Sequence, residues 1–135
     1  MNLVDQLLKA DVKKADELET QIFKSKRLAK LIGVEGTVDI TIREIKSRRV
    51  NDLVAYQVDK KGNMDFSKSF DAKLMMCTEG IVDPDLKDKD LQKHFGCTSA
   101  VELCEKIFGG EVNEISDAIS VLCGLNTDSE DEIKN

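Results

Sequence analysis

The sequence lacks several residue types on which common folds and sites depend. It has no tryptophan, one tyrosine, one histidine and one proline, and its other aromatic residues are five phenylalanines. The core must therefore be built from leucine, isoleucine, valine and methionine. No apolar run approaches the roughly 18 residues that a membrane helix needs. The opening segment MNLVDQLLKADVKK carries charges inside its apolar stretch and has no small-residue cleavage site, so we expect no secretory signal and no membrane partner.

Clustered positive charge is also missing. The formal net charge is −6, and lysine and arginine are scattered along the chain. Nucleic-acid binding needs a concentrated basic surface. The densest basic stretch, from Arg43 to Arg49, is followed at once by Asn51 and Asp52 and is typical of a solvated helix face. The composition therefore argues against a nucleic-acid partner and suits a basic or amphipathic protein partner.

The residues that build metal and catalytic sites are few and poorly spaced. Cys77, Cys97, Cys104 and Cys123 form no C-x-x-C pair, so we predict no zinc site and expect reduced, buried thiols. His94 precedes a helix-ending glycine, where a histidine interacts with helix carbonyls rather than acting as a base. The acidic pairs lack the spacing of a calcium loop, and no phosphate loop is present. We therefore expect no metal, no cofactor, no catalytic residue and no enzymatic activity.

The hydrophobic pattern predicts a mainly α protein with a small β element, that is, an α+β fold in a single domain over residues 1–125. Its N-terminal part, 1–60, is expected to contain a strand or two-strand ribbon packed on short helices. Its C-terminal part, 65–125, is expected to be a helical bundle. Residues 126–135, NTDSEDEIKN, are polar and acidic and are predicted to form a disordered tail.

Strict alternation of apolar and polar residues predicts a strand over Val38–Ile42. A lone strand leaves its backbone groups unpaired, and Thr20–Lys24 is the candidate partner. Between the two strands, SKRLAKLIG is predicted to form a helix that Ser25 caps and Gly33 ends.

Helical periodicity recurs along the rest of the chain. A short amphipathic helix is predicted over residues 2–9. The segment 50–58 fits both a helical face and strand alternation, and its length favours the helix. In the C-terminal part, periodic apolar residues, capping residues and glycine stops predict four helices. Their starting residues are Asp65, Asp88, Thr98 or Ser99, and Glu111.

The apolar stripes on the last two helices, together with the methionine-containing region, form the candidate partner-binding surface. A helical protein with exposed apolar stripes can cover the apolar faces of another helical chain. The alternative is that these stripes only pack on each other. The candidate partner-binding residues are Met75, Ile107, Phe108, Ile115, Ile119 and Leu122.

The order and spacing of short motifs in the C-terminal half resemble a known family. An E-G-x-V-x-P turn leads into K-D-K-x-L and a short helix that ends at an aromatic residue and glycine. A capped x-x-E-L-x-x-K helix, a Gly-Glu pair and a final helix ending near S-x-L-x-G follow. The residues that carry these motifs are Glu79, Gly80, Val82, Pro84, Lys87, Asp88, Lys89, Leu91, Phe95, Gly96, Glu102, Leu103, Lys106, Gly110, Glu111, Ser120, Leu122 and Gly124. The chain is similar to the XkdN-like tail assembly chaperones of phages and prophages of Gram-positive bacteria.

This resemblance implies a non-enzymatic role. Such chaperones bind the tape measure protein before the tail tube polymerises around it, keep it soluble, and are absent from the finished virion. The resemblance therefore implies the tape measure protein and other tail proteins as partners, allows self-association, and places the protein in the cytoplasm of the bacterial host cell. Many genes of this type also encode a longer product through a programmed frameshift.

The chain departs from the family pattern in two respects. Phe108 and Gly109 stand where further aliphatic residues are expected, and cysteines replace aliphatic residues. From the residues alone, two other classes stay open. One is a small acidic cytosolic helical adaptor or regulatory protein-binding module, and the other is an enzyme with an unrecognised cofactor.

Overall fold

The structure is a computed structural model and describes residues 2–125. It confirms the predicted α+β class, with a small antiparallel sheet and a set of short helices. Within the described residues, the α-helices are α1 (Leu3–Leu8), α2 (Lys26–Ile32), α3 (Ser47–Tyr56), α4 (Ser69–Gly80), α5 (Lys89–His94), α6 (Ala100–Phe108) and α7 (Val112–Leu122). The strands are β1 (Thr20–Ser25), β2 (Val38–Arg43) and β3 (Ile81–Asp83), and short 3-10 helices span Val12–Asp16, Phe66–Lys68 and Gly109–Glu111. The predicted tail, 126–135, lies outside the described residues.

The sheet has the strand order β1-β2-β3 with antiparallel neighbours. The two predicted strands pair with each other from Thr20 opposite Arg43 to Ser25 opposite Val38. The sheet extends this two-strand ribbon by a third strand, because β3 joins the other edge of β2, with Ile81 opposite Ile42. Three residues directly after a helix are too few to show an alternating pattern, so the sequence carries no strand signal there.

One hydrophobic core is shared by the sheet and the helices. Alternation turns Ile40 and Ile42 of β2 inward, and both are buried. The sheet contacts α2 and α7, while α4 packs against α3, α6 and α7. The core residues therefore come from both the 1–60 and the 65–125 parts of the chain.

Local capping signals set several helix ends where the sequence predicts them, whereas the helix predicted to start at Asp65 starts at Ser69, after a 3-10 turn that Asp65 caps. Gly33 ends α2 with a φ of 90°, a left-handed conformation that glycine adopts without strain. Three N-cap side chains accept a hydrogen bond from a backbone N–H three residues later: Ser25 from Leu28, Asp88 from Leu91, and Ser99 from Glu102. Of the two candidate caps, Thr98 and Ser99, the structure uses Ser99.

Every helix within residues 2–125 is too short or too polar to cross a lipid bilayer.

Candidate protein-binding groove

The six predicted partner-binding residues lie in or against the core. Ile107, Phe108, Ile115 and Ile119 are 0–3% exposed, so the α6 and α7 stripes face inward and pack within this chain. A partner could reach these four side chains only if the helices moved apart. Met75 and Leu122 are partly buried and pack against the same core. For these two side chains, contact with a partner stays a prediction.

A groove of about 450 Å³ runs between α3, α4 and α7. Small side chains create this space, because Ala72, Ser116 and Ser120 stand where larger residues would fill the gap between the helices. The lining residues are Leu53, Val54, Gln57, Met64, Ala72, Lys73, Met76, Ser116, Asp117, Ser120 and Leu125.

The floor of the groove is buried, and its polar groups already have partners. The Ser116 hydroxyl donates to the Asn113 carbonyl at 3.0 Å, and the Ser120 hydroxyl donates to the Met76 sulfur at 3.3 Å. Both hydroxyls therefore keep their hydrogen-bond acceptors when an apolar partner covers this floor. A buried polar group that loses its hydrogen-bond partner costs about 1–3 kcal/mol of free energy.

The rim of the groove is apolar and exposed to solvent. Val54, Met64 and Leu125 are 38–48% exposed, although each is a large hydrophobic residue. A methionine at the rim adapts its unbranched side chain to an irregular partner. The lining also carries one base, Lys73, and one acid, Asp117. An apolar channel between helices with a few charges is the surface that receives an amphipathic helix.

The walls of the groove are tied together by an ion pair. The Arg49 guanidinium of α3 donates to both carboxylate oxygens of Glu79 in α4, with its Nε and Nη2 each 2.8 Å from an oxygen. The hydrogen bonds and charge of Glu79 raise the pKa of Arg49 above its ordinary value. Because both side chains are more than a third exposed, the pair is worth less than about 1 kcal/mol. Its two-point geometry nevertheless orients α3 relative to α4.

The groups capable of nucleophilic or metal chemistry lie elsewhere. Cys77, Cys97 and Cys104 are buried free thiols, and Cys123 is partly buried. Burial raises the pKa of Cys77 and raises that of Cys104 to about 11, so these two thiols stay protonated near neutral pH. His94 lies at the end of α5 with its ring edge-on to Phe95. Among residues 2–125, no three histidine, cysteine or acidic side chains are placed to hold a metal ion.

Sequence reasoning missed the groove itself. None of the six candidate residues is among its lining residues. A signal was present in α7, where Ser116 and Ser120 directly follow the stripe residues Ile115 and Ile119. Two serines four residues apart lie on the same edge of a helix. Small polar side chains beside an isoleucine stripe indicate that this edge is not filled by a neighbouring element.

Comparison with known proteins identifies the class of the molecule. Residues 4–135 match the sequence profile described as phage XkdN-like tail assembly chaperone protein, which places the chain among phage tail assembly chaperones. Within that class, the chain belongs to the XkdN-like family. This confirms the resemblance seen in the sequence motifs.

The fold also has a solved counterpart. The crystal structure of the protein YqbN is similar, with a TM-score of 0.55 and 16% sequence identity over 82% of this chain and 90% of that chain. At this identity the likeness concerns the fold alone. No curated protein matches the chain.

Proposed function

We propose that this chaperone binds the tape measure protein of its phage and keeps that protein soluble while the tail is assembled. Membership of the family supports a role in tail assembly. The observation that carries the proposal is the groove between α3, α4 and α7, with its apolar rim and its internally hydrogen-bonded floor. Other tail proteins are further candidate partners.

The physical basis is the shielding of apolar surface. A tape measure protein is a long, largely helical chain whose apolar faces promote aggregation until the tube encloses them. A helix lying in the groove would bury its own apolar face together with the rim residues Val54, Met64 and Leu125. Each large side chain buried in this way contributes about 1.5–3 kcal/mol before the cost of association is subtracted.

The same proposal covers where and how the protein acts. We expect it to work in the cytoplasm of the bacterial host and to be absent from the finished virion. We also expect it to act by binding alone, without a catalytic step. The tape measure protein would leave the groove as the tail tube replaces the chaperone.

The test compares substitutions inside and outside the groove. Val54→Asp and Met64→Asp place a charge on the rim, and we expect each to weaken tape measure binding by at least tenfold, which equals about 1.4 kcal/mol. Val101→Asp is the matched control, because Val101 is 38% exposed on α6 outside the groove, and an aspartate in the first turn of a helix is tolerated. Binding is measured by titration calorimetry and by recovery of soluble tape measure protein on co-expression.

The outcomes separate the partner from the surface. Failure of the wild-type chain to bind the tape measure protein would contradict the proposed partner. Wild-type affinity in both groove variants would contradict the groove. Ile119→Asp is unsuitable for this test, because Ile119 is fully buried and a charge there disrupts the core.

A further inference from the structure

Strand β1 forms one edge of the sheet, and its outer side has no neighbouring strand among residues 2–125. The Glu44 backbone N–H donates to the Glu19 carbonyl at 2.8 Å, so the pairing of β1 with β2 continues to these two residues. In an antiparallel ladder every second pair is joined directly in this way, and the residues in between turn their backbone groups outward. The residues of β1 whose N–H and C=O groups face the open edge are therefore Thr20, Ile22 and Lys24.

This edge is well suited to pair with another strand. The six residues of β1 follow β2 without a register shift and include no proline, although prolines and bulges are common devices for blocking an exposed edge. The Ile22 side chain is 51% exposed, and isoleucine favours the strand conformation. An extended peptide that adds to such an edge gains main-chain hydrogen bonds to a strand that is already ordered.

A basic cleft of about 350 Å³ lies where β1 runs into α2. Four cations line this cleft, namely Lys24, Lys26, Arg27 and Lys30. The lining also contains two acids, Glu111 and Glu114. Four cations and two acids leave a formal charge of +2, in a chain whose net charge is −6. The cleft is therefore a positive site on an acidic protein.

The Glu111 and Asp39 carboxylates beside the cleft already have partners. The Glu111 carboxylate accepts hydrogen bonds from the first two backbone N–H groups of α2, at 3.0 and 3.3 Å. Asp39 of β2 pairs with Lys24 at 3.2 Å. Charges more than about 8 Å apart are largely screened at physiological salt, so a bound segment meets the charge of the cleft rather than that of the whole chain.

The other three cations of the cleft are available to a ligand. Among residues 2–125, the side chains of Lys26, Arg27 and Lys30 form no ion pair. The Arg27 guanidinium also packs against Gly109, where an added Cβ would lie 2.8 Å from Nη1. Unpaired cations beside an open strand edge are complementary to an extended segment that carries carboxylates.

We propose that an extended, acidic segment of a partner protein adds to β1 as a fourth, antiparallel strand and places its carboxylates in the basic cleft. Antiparallel addition sets the first residues of the segment beside Lys24, so its acidic residues precede those that pair with Ile22 and Thr20. Acidic residues at the other end of β1 would be repelled by Glu19 and Glu44. This site is separate from the groove between α3, α4 and α7, and the inference does not rest on the proposed function.

The first experiment measures amide hydrogen exchange of the full chain by NMR. The probe is a synthetic peptide of three glutamates followed by alternating valine and threonine. Saturating peptide should slow exchange by about tenfold or more at Thr20, Ile22 and Lys24, because the added strand supplies acceptors for these three N–H groups. The amides of Gln21 and Phe23, which face β2, should change little. A peptide with lysines in place of the glutamates should have little effect.

The second experiment measures the affinity of the labelled glutamate peptide for substituted chains by fluorescence anisotropy. Ile22→Pro removes an outward N–H without removing a hydrogen bond to β2, and we expect it to weaken binding about tenfold or more. Ile22→Thr is its control, because threonine keeps the N–H and the strand preference. Lys26→Glu/Lys30→Glu should also weaken binding about tenfold. Lys60→Glu/Lys61→Glu changes the net charge equally outside the cleft and should leave the affinity unchanged.

Several results would overturn the proposal. These are a wild-type chain that does not bind the glutamate peptide, equal binding of the lysine peptide, and slowed exchange that does not fall on the three alternate amides. Equal affinities for Ile22→Pro and Ile22→Thr would show attraction of charges without an added strand. If circular dichroism shows that Ile22→Pro is unfolded, the exchange pattern of the wild type decides. None of these results depends on whether the tape measure protein binds.

Discussion

Gly80 is the last residue of α4 and lies against Ile119 of α7. A Cβ atom at this position would lie 2.5 Å from Cδ1 of Ile119 and 3.2 Å from the backbone oxygen of Arg43. Ile119 is fully buried, so its side chain cannot swing into solvent to make room. The glycine therefore sets the distance between the two helices that form one wall and the floor of the groove.

Gly80→Ala should lower the free energy of unfolding by about 1–3 kcal/mol, because overpacking at Ile119 outweighs the better helix propensity of alanine. The measurement is urea unfolding followed by circular dichroism. Gly110→Ala is the control, since a Cβ there meets no atom within 4 Å. An unchanged or raised stability for Gly80→Ala would show that α4 and α7 are not packed at this distance.

The buried thiols predict a loss of stability at alkaline pH. Burial raises the pKa of Cys104 from 9.0 to about 11, whereas the unfolded chain ionises this thiol near its ordinary value. Between pH 9 and 11 the unfolded state has lost a proton that the folded state still holds. The stability present below pH 9 is therefore lost as the pH rises through this window, by up to about 1.4 kcal/mol per pH unit for each such thiol.

Cys104→Ala should reduce that slope. The comparison uses urea unfolding at pH 8 and pH 10, and the quantity compared is the change in unfolding free energy between the two pH values. The loss of packing in the smaller alanine side chain lowers the unfolding free energy equally at both pH values, so it cancels in this difference. Identical slopes in the wild type and the variant would mean that Cys104 titrates alike in both states.

Single residues also show what local sequence can reveal. The caps at Ser25, Asp88 and Ser99 were predictable, because a capping side chain acts on an N–H only three residues away. The burial of Ile119 and the exposure of Leu7 were not predictable. A stripe of leucine or isoleucine has the same sequence pattern whether it faces the core of its own chain or a partner. Only distant segments decide between the two.

Among the helices and strands, α2 depends on a contact from the other end of the sequence. The Glu111 carboxylate accepts hydrogen bonds from the Ser25 hydroxyl at 2.5 Å and from the backbone N–H groups of Lys26 and Arg27 at 3.0 and 3.3 Å. Ser25 is fully buried and also caps the helix. Glu111 thus supplies the negative charge that the start of α2 favours.

Glu111→Ala should destabilise the protein by about 1–3 kcal/mol, because the buried Ser25 hydroxyl loses its acceptor. Hydrogen exchange should show lost protection in the α2 amides before any loss in α6. Glu114→Ala, an exposed site in the first turn of α7, is the control and should leave α2 protected. Equal protection of α2 in both variants would contradict the anchoring role.

The strands illustrate a second limit of sequence reasoning. β2 was predicted because apolar and polar residues alternate over Val38–Ile42, and its partner β1 was predicted because an isolated strand needs one. β3 was missed because its three residues pair with β2, which lies about 40 residues earlier in the sequence, and local sequence gives no sign of such a distant contact. The pattern of residues 50–58 fitted both a helix and a strand, and the length of the segment favoured the helix. The structure has a helix there, α3 at Ser47–Tyr56.

Over the chain as a whole, the core predicts cooperative unfolding. Buried residues from the 1–60 part, such as Ile40 and Leu53, belong to the same cluster as Leu103 and Ile115 from the 65–125 part. Neither part therefore has a complete core of its own. A chain of this size with one shared core should unfold in a single transition.

We expect urea unfolding curves from Tyr56 fluorescence and from circular dichroism at 222 nm to coincide. Tyr56 reports the end of α3, near the ammonium of Lys68, while the dichroism reports all helices. Gly80→Ala should shift both curves by the same amount. Separate midpoints would indicate two folding units and would contradict the prediction of one domain over 1–125.

The amino-acid sequence alone determined the α+β class, the ends of most helices and membership of the family, because these depend on short-range periodicity, capping and motif order. The tertiary structure decided which apolar surfaces are open. Ile107, Phe108, Ile115 and Ile119 are covered by elements far away in the sequence, whereas α1 and the rim of the groove are left exposed. A side chain is buried only when other residues pack over it. Which residues pack over an apolar stripe depends on the tertiary fold and not on the sequence of the stripe itself.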